Sequence, residues 1–226
     1  MTATQVIQRI TSKFFKRFYN EDALITSHTH DFIYDPDFKL AYERGLKASG
    51  GMDLHNRWRI HVALWAAKQC LRLDGDFLEC GVNYGMTSSA IMTYLDWKTI
   101  DKEFFLCDSF SGTKTGSKAQ LDSGFFNCSY ERARDNFAEW ENAHVIKGWL
   151  PESLPPERHF AFVHIDLNDA KSEVETFKRL LPSLQRGAVV LLDDYAYTGF
   201  ESSYEEWNRH GLNILAIPTG QGMIMV

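Results

Sequence analysis

The chain has 226 residues, enough for one α/β domain with an extension, and 44 % hydrophobic and 24 % charged residues are typical of a folded globular protein. A formal net charge of −6, with no run of lysine or arginine, argues against a surface that binds nucleic acid through its phosphates. No stretch approaches the roughly 18 apolar residues of a membrane span, and residues 1–20 lack the apolar core of a secretion signal. We therefore expect a cytoplasmic protein that binds neither nucleic acid nor membranes.

Residues 1–54 differ in pattern from the rest of the chain. They begin with an aromatic-rich amphipathic stretch and continue through "SHTHDFIYDPDF". Residues 55–73 follow with helical spacing, and we expect that helix to pack on a sheet. We interpret residues 1–54 as a cap or lid segment and residues 55–226 as the main domain. Aromatic density in residues 14–38 leaves a homo-oligomer open.

Short apolar runs alternate with amphipathic stretches from residue 76 onward. The predicted strands are 76–81, 103–108, 143–148, 160–166, 188–194, 213–218 and 222–226, and the predicted helices are 86–96, 129–140, 170–181 and 200–209. This alternation predicts a doubly wound, mostly parallel α/β sheet of seven strands, with helices on both faces. Only "TGQG" separates the last two strands, too few residues for a helical crossover, so we expect an antiparallel hairpin at the end.

A glycine turn follows the first strand of this sheet. In "FLECGVNYGMTSSA", Glu79 lies near the strand end, Gly81 and Gly85 lie in the turn, and Thr87 and Ser88 open a helix. Such a turn allows a ligand to approach the backbone. The spacing is GxxxG, not the GxGxxG of dinucleotide-binding sites, so by itself the signal is weak.

Asp108 strengthens the interpretation, because it ends the next strand in "FFLCDSFSG". An acidic side chain at that place can accept hydrogen bonds from the hydroxyls of a ribose, which favours an adenosine-containing cofactor. Nicotinamide cofactors and S-adenosylmethionine both meet this requirement. The carboxylate of Glu79 favours S-adenosylmethionine, because it would attract an ammonium or sulfonium group and repel a pyrophosphate.

Two further strands end in acidic residues: Asp166 follows "VHI", and Asp193 and Asp194 follow "VVLL". The carboxyl ends of neighbouring parallel strands meet at one edge of a sheet, so we expect these carboxylates to converge. Converging carboxylates repel one another unless a cation compensates them, and oxygen ligands suit Mg²⁺ or another divalent cation. The sequence thus predicts a metal site formed by Asp166, Asp193 and Asp194. Asp169 is the candidate general base, whereas His164 is interpreted mainly as a core histidine.

Four segments in chain order resemble the macrocin O-methyltransferase family: "GDFLECGVNYGMTS", "LCDSFSG", "VIKGWLPESLP" and "HIDLNDAKSEVETFKRLLPSLQRGAVVLLDDY". Enzymes of that family methylate sugar hydroxyls of natural products with S-adenosylmethionine and Mg²⁺. The resemblance implies a Rossmann-like methyltransferase fold and a small-molecule hydroxylated acceptor. The resemblance extends from about residue 55 to residue 210. Many relatives carry a second acid where this sequence has Asn168.

The resemblance also implies roles for individual residues. The implied metal ligands are Asp166, Asp193 and Asp194, and the implied base is Asp169. The implied cofactor contacts are Glu79, Gly81 and Asp108, and Trp149 either lies near the adenine or is a structural residue that closes its loop. The further candidate cofactor contacts are Gly85, Thr87, Ser88, Ser109, Gly148 and Asp166. Independently of the resemblance, Tyr34, His55, Arg57 and Tyr197 are candidates for the acceptor pocket, and an ordinary packing or surface role is open for each.

Two alternatives remain open from the sequence. One is a nicotinamide-dependent oxidoreductase on the same fold, which the GxxxG spacing and Glu79 disfavour. The other is a non-catalytic protein that binds an adenosine cofactor, which Asp169 disfavours because binding alone needs no base.

Overall fold

A seven-stranded sheet forms the centre of the computed structural model, which describes residues 18–112, 128–196 and 201–226. Its strands are β3 (Asp76–Cys80), β4 (Phe104–Asp108), β5 (Ala143–Lys147), β6 (Phe160–Ile165), β7 (Leu184–Leu192), β8 (Leu215–Ala216) and β9 (Gly222–Met225). A separate antiparallel pair, β1 (Tyr19–Glu21) and β2 (Leu24–Thr26), precedes them. We call this pair and its turn the N-terminal hairpin.

The strands follow the order β5-β4-β3-β6-β7-β9-β8. The strands from β5 to β7 are parallel, whereas β9 pairs antiparallel with both β7 and β8. This arrangement confirms the predicted mostly parallel sheet that ends in an antiparallel hairpin. From β3 the chain first moves outward through β4 to β5 and then returns to β6 beside β3. A crevice between the carboxyl ends of β3 and β6 is therefore the expected ligand site.

Six α-helices accompany the sheet in the described residues: α1 (Pro36–Ala48), α2 (Arg57–Cys70), α3 (Met86–Tyr94), α4 (Tyr130–Phe137), α5 (Ala170–Leu180) and α6 (Glu201–Asn208). Single-turn 3₁₀ helices occupy Asp31–Tyr34, Trp97–Thr99 and Leu181–Ser183. Asp35 caps α1 ahead of a proline at the first helical position, and Ser129 caps α4. No helix in the described ranges is both long and apolar enough to cross a membrane.

Two apolar layers cover the two faces of the sheet. Successive strand residues point to opposite faces, so Phe77 packs in the layer with α1, α2, α3 and α4, while Leu78 packs in the layer with α5 and α6. Trp97 is fully buried in the first layer and Trp207 in the second. The sheet is thus covered on both faces, as the nearly continuous apolar strands predicted.

The structure differs from the sequence expectations mainly at the ends of the chain. The N-terminal hairpin and α1 were not predicted as separate elements within residues 1–54. Strand β8 has two residues instead of the predicted six, because it lies at the sheet edge and pairs only with β9. Strand β7 begins at Leu184, before the predicted residue 188.

Candidate active site

A cavity of about 600 Å³ lies at the carboxyl ends of the strands. Each parallel strand of the sheet contributes a residue at or just after its end. These residues are Gly81 after β3, Asp108 from β4, Gly148 after β5, Asp166 after β6 and Asp193 after β7. The cavity therefore occupies the crevice that the strand order provides.

The glycine turn begins where β3 meets the loop after β6. Gly81 has a φ of +90°, and a Cβ atom built on it would lie 1.8 Å from the carbonyl oxygen of Asp166. Only glycine permits this approach. Gly85 has a φ of +82°, and its Cβ would lie 2.3 Å from the ring of Phe137. Gly85 does not line the cavity in the described residues, so its observed contact is with the core.

Asp108 fastens the glycine turn to the end of β4. Its Oδ2 atom accepts hydrogen bonds from the backbone N–H groups of Val82 and Asn83, both at 2.8 Å, and its Oδ1 atom accepts one from Phe110 at 2.7 Å. The side chain also lines the cavity. Asp108 thus shapes the loop, and its contact with a ribose stays a prediction.

Glu79 is 2 % exposed and is held from two sides. The Ser88 hydroxyl donates a hydrogen bond to its Oε2 atom, and His164 Nδ1 lies 2.9 Å from its Oε1 atom. His164 Nε2 lies 3.6 Å from Asp193 Oδ1. Burial opposes a charge on His164, but Asp193 and Glu79 outweigh it and raise the pKa of the imidazole to about 10. An imidazolium therefore links the glycine turn to the acidic residues.

Asp166, Asp193 and Asp194 converge, as the sequence predicted. One carboxylate oxygen from each lies within 4.8 Å of the others. Burial and then the charges of Asp193 and Asp194 raise the pKa of Asp166 well above its usual value, and burial with Asp193 raises the pKa of Asp194 to about 7. Burial also acts on Asp193, but Arg59 and His164 hold its pKa far below the usual range. Burial and the neighbouring carboxylates thus both oppose ionisation of Asp166 and Asp194.

Arg59 is a cavity residue that the sequence analysis did not identify. It projects from α2, is 6 % exposed, and its Nη1 atom donates to both the carbonyl oxygen and Oδ2 of Asp193, each at 2.7 Å. Its Nε atom donates to Asp22 Oδ2 at 2.6 Å. The surrounding carboxylates keep its pKa above the usual range despite burial.

Two amide side chains complete the support of the acids. Asn168 Nδ2 donates to Asp166 Oδ1 at 3.0 Å, and Gln221 Nε2 donates to Asp193 Oδ1 at 3.0 Å. At this position an acidic side chain would add a negative charge, whereas Asn168 provides a hydrogen-bond donor. Gln221 comes from the turn between β8 and β9, so the terminal hairpin reaches the site.

Asp169 lines the cavity and is also the N-cap of α5. Its Oδ2 atom accepts a hydrogen bond from the Ser172 backbone N–H at 3.0 Å. One carboxylate oxygen thus fixes the start of the helix. The side chain is thereby held on the cavity wall.

Most of the residues selected from the sequence line this one cavity. They are Glu79, Gly81, Thr87, Asp108, Ser109, Gly148, Trp149, Asp166, Asp169, Asp193 and Asp194. Ser88 is buried beneath it on Glu79, and Gly85 packs on Phe137. Tyr34, His55 and Arg57 are not among the lining residues, although Leu54 and Asn56 are, and Tyr197 lies outside the described residues. Apolar side chains, including Met52, Met86 and Leu150, form other parts of the wall.

The chain is similar to known proteins in both sequence and structure. The family model of macrocin-O-methyltransferase (TylF) matches residues 61–214. A curated relative from Streptomyces olivaceus, 8-demethyl-8-(2,3-dimethoxy-alpha-L-rhamnosyl)-tetracenomycin-C 4'-O-methyltransferase, is 24 % identical over 159 residues. That alignment covers 62 % of this chain and 61 % of the relative, so it spans less than two thirds of either.

Two solved structures share the fold. The O-methyltransferase NovP aligns with a TM-score of 0.66 at 17 % identity, over 86 % of this chain and 98 % of that chain. The calicheamicin methyltransferase CalS11 aligns with a TM-score of 0.58 at 12 % identity, over 88 % and 98 % of the respective chains. At these identities the likeness describes the fold alone.

Proposed function

Because the chain belongs to the macrocin O-methyltransferase family, whose model matches residues 61–214, we propose that it transfers a methyl group from S-adenosylmethionine to a hydroxyl of a small molecule, with the help of a divalent cation. The observation that carries the proposal is one cavity that is lined by the glycine turn, Asp108 and three converging carboxylates. A cofactor and an acceptor hydroxyl can meet in such a cavity.

In the proposed function, residues at the ends of β3, β4 and β5 bind the cofactor. The Asp108 carboxylate orients the ribose hydroxyls, with Ser109 beside it. Glu79 is buried at the cavity, where its carboxyl group would bind the methionine ammonium, while Gly81 leaves room at the backbone. Gly148 and Trp149 form the wall for the adenine.

The acidic cluster fits a hard divalent cation such as Mg²⁺. Its ligand set is made of oxygen atoms only, and without a cation the pKa values of Asp166 and Asp194 are raised because like charges crowd a buried place. Asp166, Asp193 and Asp194 would hold the ion. When bound, S-adenosylmethionine supplies the methyl group and the ion lowers the pKa of an acceptor hydroxyl.

Asp169 is the proposed general base that accepts the proton of the acceptor hydroxyl. It lies on the cavity wall three residues after Asp166, and its bond to the Ser172 N–H holds it in place. Arg59 and Gln221 keep Asp193 oriented, and Asn168 does the same for Asp166.

The acceptor is proposed to be a sugar hydroxyl of a glycosylated natural product. The support is the family together with the curated relative, whose name describes methylation of a rhamnosyl group. Met52 and Leu54 line the cavity and are each more than 40 % exposed, which suits an apolar part of an acceptor that extends to the surface. Rhamnosylated compounds are accordingly the first acceptors to assay by mass spectrometry.

The deciding experiment is calorimetric titration of S-adenosylmethionine into the protein with and without Mg²⁺, and of NADH as the control. We expect micromolar binding of S-adenosylmethionine and none of NADH. Binding of NADH instead would favour an oxidoreductase. If neither bound, the roles proposed for Glu79 and Asp108 would be wrong. Binding without methyl transfer to any acceptor would favour a non-catalytic protein.

A further inference from the structure

Asp22 lies in the turn of the N-terminal hairpin, and its side chain reaches the candidate active site. It lines the same cavity as the three acidic residues, and its Oδ2 atom is 2.6 Å from Arg59 Nε. Asp22 has a φ of +49° and Ala23 a φ of +57°, so the turn directs the carboxylate inward through a left-handed backbone. Residues of the cap segment thus contribute to the wall of the site.

Arg59 uses the other edge of its guanidinium on Asp193. Its Nη1 atom holds both the carbonyl oxygen and Oδ2 of Asp193 at 2.7 Å, and lies 3.4 Å from Asp194 Oδ1. Gln221 holds Oδ1 of Asp193 at 3.0 Å. Both carboxylate oxygens of Asp193 are therefore fixed, one from α2 and one from the β8–β9 turn.

We propose that Asp22 and Arg59 are positioning residues for the acidic site: Asp22 fixes the guanidinium of Arg59, and Arg59 fixes the orientation in which Asp193 meets a divalent cation. The inference rests on the proposed function, since it concerns the metal site assigned there. A guanidinium presents donors in a rigid fork, so it can bind Asp22 through Nε and Asp193 through Nη1 at once. A lysine ammonium cannot hold both carboxylates in this way.

For Arg59, positioning and simple electrostatics predict different effects of substitution on metal affinity. If Arg59 acted only as a positive charge, it would repel the metal, and its loss would increase metal affinity. If Arg59 orients Asp193, weakening its contacts reduces metal affinity, by about 10- to 100-fold for residues that support metal ligands. Charge-matched substitutions separate the two effects.

The hairpin provides a control for Asp22. Glu21 is the preceding residue, also has a carboxyl side chain, and pairs with Arg57, whose other ion pair in the described residues is with Asp53 and not with Asp166, Asp193 or Asp194. Asp22→Asn and Glu21→Gln therefore replace a carboxylate by an amide at neighbouring positions, but only Asp22→Asn replaces the ion pair that fixes Arg59 by a weaker neutral hydrogen bond. Asparagine tolerates the left-handed backbone at position 22, so the turn is retained. Arg59→Lys keeps the positive charge, and Arg44→Lys, at a site bound to Glu139, is its control.

The experiment measures Mn²⁺ binding to the full chain by electron paramagnetic resonance of the free ion, and S-adenosylmethionine binding by calorimetry. We expect the Mn²⁺ dissociation constant to rise about 10- to 100-fold in Asp22→Asn and Arg59→Lys. Glu21→Gln and Arg44→Lys should stay within about twofold of the unmodified protein, and all four variants should keep its S-adenosylmethionine affinity.

Equal Mn²⁺ affinities in Asp22→Asn and Glu21→Gln, or tighter binding in Arg59→Lys, would overturn the positioning role and leave the proposed function intact. An unmodified protein that bound S-adenosylmethionine but no Mn²⁺ would overturn both the metal assistance and this inference. Failure to bind S-adenosylmethionine would contradict the proposed function itself, while the Mn²⁺ comparison would still decide whether Asp22 and Arg59 support a metal site.

Discussion

Gly81 and Gly51 have nearly the same φ, +90° and +86°, but their surroundings differ. A Cβ on Gly81 would lie 1.8 Å from the Asp166 carbonyl oxygen, whereas nothing lies within 4 Å of one on Gly51. Both substitutions to alanine carry a backbone cost of about 1–3 kcal/mol. Only Gly81→Ala also forces β3 away from the loop that carries Asp166.

We therefore expect Gly81→Ala to lower the free energy of unfolding clearly more than Gly51→Ala does, as measured by urea denaturation. Gly81→Ala should also weaken S-adenosylmethionine binding, because Asp166 and the glycine turn must separate. Equal destabilisation in the two variants would show that the close approach at Gly81 has no energetic weight.

Asp169→Asn separates the two roles of Asp169. Asparagine is as good an N-cap as aspartate, so α5 should remain intact, while the amide cannot accept a proton as a base. We expect kcat to fall about 10²- to 10⁴-fold with unchanged S-adenosylmethionine affinity. Asp35→Asn, at the cap of α1, is the matched control and should leave kcat unchanged. Turnover near that of the unmodified protein would remove Asp169 from the mechanism.

Glu173 joins three elements of the fold. It projects from α5, accepts a hydrogen bond from Trp207 Nε1 of α6 at 3.2 Å, and accepts another from the Leu167 N–H after β6 at 3.3 Å. Burial, followed by the charge of Asp194, raises the pKa of its carboxyl from 4.5 to about 7. The folded state thus binds more protons than the unfolded state between these two pH values, and stability falls as pH rises through this window.

Glu173→Gln should remove that contribution. We expect the variant to gain stability relative to the unmodified protein as pH rises from 4.5 to 7, with no further relative change above about pH 8. Urea denaturation in EDTA at several pH values measures it. Glu175→Gln, on the exposed side of the same helix, should follow the unmodified protein. A constant difference across the pH range would mean that Glu173 does not titrate as its burial implies.

Elements with a strong periodic pattern were predictable from the sequence. Strands β3, β4, β6 and β7 carry buried apolar residues on both sides because helices cover both faces, and α5 shows helical spacing beside them. The N-terminal hairpin was not predictable in this way. Its strands have three residues each, and its turn residues Asp22 and Ala23 are not the glycines that usually mark such a backbone.

The candidate site was predictable to the extent that sheet topology determines it. Parallel strands bring Asp108, Asp166 and Asp193 to one edge whatever the loops do, so their convergence follows from the strand ends alone. Arg59 lies 134 residues before Asp193, on the buried side of α2, and no local sequence pattern indicates that the two residues are in contact. Gln221 was missed for the same reason, since its bond to Asp193 depends on where the terminal hairpin folds back.

At the scale of the whole molecule, the strand order that brings the acidic side chains together also lowers the stability of the folded state. Without a cation, ionised Asp194 is buried beside Asp193 and has a pKa of about 7. At pH 8 in EDTA, we expect Asp194→Asn to be at least as stable as the unmodified protein, because it removes a like-charge contact. Asp101→Asn, at an exposed position, should show no such gain.

With Mg²⁺ we expect the unmodified protein to be more stable than Asp194→Asn, because an ion that binds only the folded state stabilises it by mass action. At a hundred times its dissociation constant the gain is about 2.7 kcal/mol. For a chain of this size, that gain corresponds to a rise of roughly 5–11 °C in Tm. We expect Asp101→Asn to show the full rise and Asp194→Asn less than half of it, in scanning calorimetry against NaCl of equal ionic strength. A rise no larger than that in NaCl would argue that Arg59 and His164 alone balance the acids. If only Asp194→Asn lost this rise in Tm, the stability of the whole fold would depend on an ion bound at the carboxyl ends of the strands.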